Sequence, residues 1–84
     1  MKVNPMNPVS RVMCGPVLVA SIVRTGNGRP GSPVRWMPYW SPIAERLGAP
    51  VPPPRFSSRY EAEAMALMWA SDRLALPARV EQAR

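Results

Sequence analysis

Apolar and polar positions change rhythm three times along this chain. The first rhythm is "PVLVASIVR", residues 16–24, a run rich in β-branched side chains that predicts a strand. Val17, Val19, Ser21 and Val23 share one face, and Leu18, Ala20, Ile22 and Arg24 the other. Both sets are largely apolar, so the strand is expected to be central or covered on both sides. "TGNGRPGS" then reads as a hairpin tip carrying Arg29, and "VRWMPYW", residues 34–40, as the second strand. Alternation places Val34, Trp36, Pro38 and Trp40 on a face expected to form core, with Arg35, Met37 and Tyr39 opposite. Pro38 has no N–H for a ladder, which demotes this strand to an edge or marks a bulge.

The rhythm then turns helical. "SPIAERLG" offers Ser41 as N-cap, Pro42 in the first turn and Gly48 just past the end, a short helical turn. "APVPPPRF" cannot hold regular hydrogen bonding and predicts a semi-rigid crossing. The strongest element follows: Ser58 and Glu61 fit a capping box ahead of "RYEAEAMALMWASDRLAL", and Pro77 stops the run. Ala64, Leu67, Met68 and Ser71 line one side of this helix, and Ala62, Met65, Ala66 and Trp69 an adjacent one. Together they exceed the stripe that a small sheet needs, so one side, around Met65 and Trp69, is expected to face another molecule.

The expected architecture is α+β, a small two- to three-stranded antiparallel sheet with one C-terminal α-helix packed on it. Residues 1–15, with two Asn-Pro steps, read as an extended N-terminal arm, either disordered or adding an edge strand to the fold or to a partner. Residues 16–77 read as the single domain and 78–84 as a C-terminal tail, a frayed continuation of the helix or a mobile basic end.

Composition narrows the chemistry. Cys14 is the only cysteine and there is no histidine, which rules out an internal disulfide and a Cys/His zinc site. A single thiol fits a reducing compartment, and neither a membrane span nor a signal peptide is visible, so a cytoplasmic location in a bacterial host is expected. Glu61 and Glu63, two apart on a helix, point to different faces and make a poor acid/base pair. Cys14 has no histidine to activate it. The expectation is a chain that is not an enzyme and needs no cofactor or metal.

Charge points instead to a partner. A net charge of +6 and a pI near 11.1 favour phosphates or an acidic protein surface. Ten of the eleven basic residues are arginine, which pairs bidentately and stacks on rings. That abundance also follows from GC-rich coding DNA. Arg35, Met37 and Tyr39 form an interface-like row, since Arg and Tyr are enriched at hot spots and Met adapts to irregular surfaces. With Met65, Trp69, Arg24 and Arg29 they are the candidate partner-binding residues. The same Arg–aromatic interleaving suits nucleic acid, with Tyr39 stacking a base while Arg24, Arg29 and Arg35 hold phosphate.

With "VRWMPYW", "RFSSRYEAEAMALMWASDRLALPAR" and its single-domain length, the chain resembles the small accessory proteins of bacteriophages and prophages of GC-rich bacteria. The resemblance covers about half the chain and matches no specific family. It implies stoichiometric binding that modulates or inhibits a host protein complex, such as transcription or defence machinery. A small basic nucleic-acid-binding protein is the alternative, and a homo-oligomer burying the second helix face is a third reading.

Overall fold

A computed structural model describes residues 8–26, 31 and 33–82. The general class is α+β, but among the described residues the sheet has four strands and there are two helices. In chain order they are β1 (Ser10–Cys14), β2 (Val17–Thr25), β3 (Arg35–Trp40), α1 (Pro42–Arg46), α2 (Arg59–Leu74) and β4 (Ala78–Gln82). The sheet order is β3-β2-β1-β4, with every neighbouring pair antiparallel.

Three expectations are corrected. The sheet exceeds two to three strands, α2 is not the last element, and the tail contributes a strand, while the strand that the arm adds is inner rather than an edge. Residues 10–14 of the expected arm form β1, an inner strand flanked by β2 and β4. Residues 78–82 of the expected tail form β4. A two-residue turn, Gly15-Pro16, joins Cys14 to its cross-strand partner Val17, and Gly15 adopts φ 60°, a left-handed conformation that glycine takes without strain. Once β2 offers its edge through that hairpin, β1 offers another to β4, and pairing organises five residues too polar to announce a strand. Residues 1–7 of the arm and Arg29 lie outside the described residues.

Cross-strand register assigns the two faces. Ala20, Ile22 and Arg24 pair with Trp40, Pro38 and Trp36, while Ser10 and Val12 pair with Ile22 and Ala20. This is the helix side. A bulge between Val12 and Met13 adds Val19 to it, so that Val19 and Ala20, adjacent in sequence, are both buried in the same cluster. The face opposite carries Arg11, Met13, Leu18, Ser21, Val23, Thr25, Arg35, Met37 and Tyr39.

Ala62, Ala66 and Ala70 are fully buried at i, i+4 and i+8, a stripe of methyl groups that brings the helix backbone close to the sheet. Met65 and Trp69 flank the stripe on one side and Leu67 and Leu74 on the other, all packed on the cluster. Trp69 stacks at 51° on Trp40 with ring centroids 5.1 Å apart, and the Trp40 indole N–H donates to the Pro50 carbonyl at 2.9 Å. The indole is thereby packed and hydrogen-bonded, as a buried tryptophan needs. Ser10 donates to Glu63 across the cluster at 2.6 Å, and Arg59 stands 3.5 Å from the same carboxylate.

Both expected caps are present. Ser41 accepts from the Ala44 N–H at 3.3 Å, with Pro42 in the first turn and Gly48 at φ 96° after the C-cap. Ser58 accepts from the Glu61 N–H at 3.1 Å. The reciprocal half of the box is replaced, because Glu61 accepts instead from the Ser57 hydroxyl at 3.2 Å.

Candidate interaction surface

The proline-rich segment after α1 positions the surface. Phe56 closes it by exchanging both backbone hydrogen bonds with Trp36, at 2.8 and 2.7 Å, on the outer side of β3. The Trp36 N–H and C=O therefore point away from β2, and alternation sends the Pro38 nitrogen the same way. A proline costs nothing there, so β3 is an edge strand, one of the two expected outcomes.

This arrangement sorts the candidate residues into two groups. Arg35, Met37 and Tyr39 lie together on the face opposite α2. Arg35 is exposed and Tyr39 is 42% exposed, but Met37 is only 7% exposed, opposite Val23 at 2%. Met37 is thus floor rather than contact surface. Arg24 is exposed but belongs to the opposite face, through its pairing with Trp36. Met65 and Trp69 also leave the expected surface. They pack on the core, because the alanine stripe turns this side of α2 toward the sheet and Trp69 onto Trp40. The outward side is the one around Met68, at 74% exposed, with Tyr60 at 70% beside Arg59.

Two cavities flank β3. Toward its start, a polar cleft of about 500 Å³ is lined by Thr25, Gly26, Gly31, Pro33, Arg35 and Arg55. It holds two guanidinium groups and no carboxylate among the described residues. The Thr25 hydroxyl donates to the Arg35 carbonyl at 3.2 Å, and the Arg35 guanidinium donates to the Val34 carbonyl at 3.0 Å. These bonds hold the arginine's backbone and head group at the cleft mouth. Toward the end of β3, a cavity of about 260 Å³ is lined by Met37, Tyr39, Trp40, Pro42, Glu45 and Pro53. Its walls are aromatic rings and proline rings with one carboxylate.

Arg55 is the residue that sequence reasoning missed. It precedes Phe56 in a stretch that reads as a connector, and only the Phe56–Trp36 bridge carries it beside Arg35. Cys14 is 1% exposed and donates weakly to the Leu76 carbonyl at 3.5 Å. No group of three His, Cys, Asp or Glu side chains among the described residues is placed to hold a metal ion. No helix among them is long and apolar enough to cross a membrane.

No family model, curated protein or solved structure matches the chain.

Proposed function

We propose that this chain is a non-enzymatic interaction protein, of bacteriophage or mobile-element type, that binds and modulates a host protein complex through the β3 face. The observation that carries the reading is the placement of Tyr39, 42% exposed at the mouth of an apolar aromatic–proline cavity, on the same strand as the two-arginine cleft. A half-exposed aromatic ring beside an apolar pocket, with arginines in a separate cleft toward the start of the same strand, supports an interface reading, since Tyr and Arg are enriched at hot spots. Met37 supports that surface from beneath, and Arg55 replaces the expected contribution of Met65 and Trp69.

The test is affinity capture from a bacterial lysate, with and without nuclease, using wild type and Tyr39→Ala. A stoichiometric protein partner that survives nuclease is expected. Tyr39→Ala is expected to weaken its binding by about 30-fold, a hot-spot loss of ~2 kcal/mol, with an unchanged circular-dichroism spectrum. Equal capture by a folded Tyr39→Ala variant refutes the assignment.

The Arg35–Arg55 cleft favours a second reading, a small basic protein that binds nucleic acid. In that case affinity for DNA or RNA falls about a decade per decade of salt for each phosphate contact, and Arg55→Ala lowers the slope by about one. Salt-insensitive or absent binding removes this reading.

A further inference from the structure

The two edges of the sheet differ. On β3, Phe56 occupies the outward groups of Trp36, and Pro38 offers no N–H. On β4, no strand among the described residues pairs with the outer side.

Which groups β4 presents follows from the ladder. The outward pointing of Trp36 turns Met37, and with it Val23, toward the β2–β3 seam. Ile22 and Ala20 then face β1, in accord with the Val9 N–H donating to the Ile22 carbonyl at 2.8 Å. Their partners Ser10 and Val12 face β2, so Arg11 and Met13 face β4 and pair with Glu81 and Arg79. Arg79 and Glu81 therefore direct their backbone groups toward β1. Ala78, Val80 and Gln82 direct theirs outward, without a strand partner among the described residues.

We propose that this edge pairs with the same edge of a second copy, antiparallel and two-fold about Val80. In that register Val80 exchanges both backbone bonds with the second copy's Val80, and Ala78 and Gln82 pair crosswise. Arg79 falls opposite the second copy's Glu81, and Glu81 opposite its Arg79, at positions not joined by backbone bonds, where side chains approach most closely. Sliding one strand by two residues in either direction sets Arg79 against Arg79 or Glu81 against Glu81. Charge thus selects one register. Arg79 and Glu81 already lie on one face, 2.6 Å apart, each about half exposed, so the pair is positioned to rearrange into a four-member network. A further bond from Arg79 to the Gly15 carbonyl, at 3.0 Å, anchors the guanidinium. Because β3 is blocked, the association closes at two copies, joining two four-stranded sheets into one.

The test is sedimentation equilibrium of the full chain over a concentration series. A mass rising from 9.3 kDa toward twice that value is expected for the wild type. Val80→Pro removes the central outward N–H, as Pro38 does on β3, and is expected to stay monomeric with an unchanged circular-dichroism spectrum. Glu81→Arg sets arginine against arginine on both sides of the axis and is expected to weaken dimerisation at least tenfold. The swap Arg79→Glu/Glu81→Arg restores opposite charges and is expected to recover it, which keeps the proposal testable should Val80→Pro fail to fold. A wild type that stays at 9.3 kDa throughout overturns the proposal. So does a dimer indifferent to Glu81→Arg, which would place the contact elsewhere.

Discussion

Replacing Ser10 by alanine and Glu63 by leucine, singly and together, isolates a buried polar contact that ties β1 to α2. Ser10 is fully buried and donates at 2.6 Å to a carboxylate whose residue is only 8% exposed. A hydrogen bond to a charged group contributes about 1.5–3 kcal/mol, so Ser10→Ala is expected to cost ~2 kcal/mol. Arg59, 3.5 Å away, compensates little, since its guanidinium side chain is 31% exposed and an i,i+4 pair with one partner this open to water contributes under about 1 kcal/mol. Glu63→Leu alone leaves the Ser10 hydroxyl buried without its acceptor, a penalty of about 1–3 kcal/mol that leucine burial offsets in part. The double variant removes both polar groups and is expected near wild-type stability, because an apolar pair of similar volume avoids the desolvation cost. The coupling energy is then about 2 kcal/mol, with the double variant more stable than the sum of its parts. Thermal unfolding followed by circular dichroism reads it directly. For a domain of this size, ~2 kcal/mol corresponds to a Tm shift of about 8–16 °C for Ser10→Ala. Single-variant losses that add within ~0.5 kcal/mol would refute the reasoning and show that water reaches the site.

Other consequences are expected in the same assay. Trp40→Ala removes the ring that stacks on Trp69 and strands the Pro50 carbonyl, and is expected to cost about 3–5 kcal/mol, enough to unfold a chain this small. Ala66→Leu forces three extra carbons between α2 and the sheet at a fully buried position, at an expected cost of about 1–3 kcal/mol or more; a neutral result would mean that the helix stands off the sheet. Ala75 closes α2 at φ 53°, a left-handed conformation that suits glycine, so Ala75→Gly is expected to raise stability by about 0.5–1 kcal/mol. An unchanged or lower Tm would contradict that cap geometry.

The elements legible in the sequence are those whose signal is local. Ser58 ahead of an alanine-, leucine- and glutamate-rich run forms α2, and Ser41-Pro42 with Gly48 brackets α1, because caps and propensity act within a few residues. The apolar run of β2 is inner in the sheet, and Pro38 does lie on an edge, since the missing N–H acts wherever the strand sits. The candidate surface was legible in part for the same reason. Alternation alone places Arg35 and Tyr39 on one face, whereas exposure depends on what packs nearby, and Met37 is buried.

The remainder depended on contacts distant in the chain. The sequence by itself determined α2 and its Ser58 N-cap, β2, β3 and the shared face of Arg35 and Tyr39, each through interactions within a turn or a strand. Only the tertiary structure decided that α2 presents its alanine stripe to the sheet, which sends Met65 and Trp69 inward and leaves Met68 outside. It alone made β4 a strand, since "ARVEQ" has little apolar content of its own and takes its form from the edge of β1, more than sixty residues earlier. It also set Arg55 beside Arg35, through one bridge between Phe56 and Trp36. Propensity and periodicity describe a segment against water; which face is buried and which edge is paired depends on the surfaces that other segments bring to it.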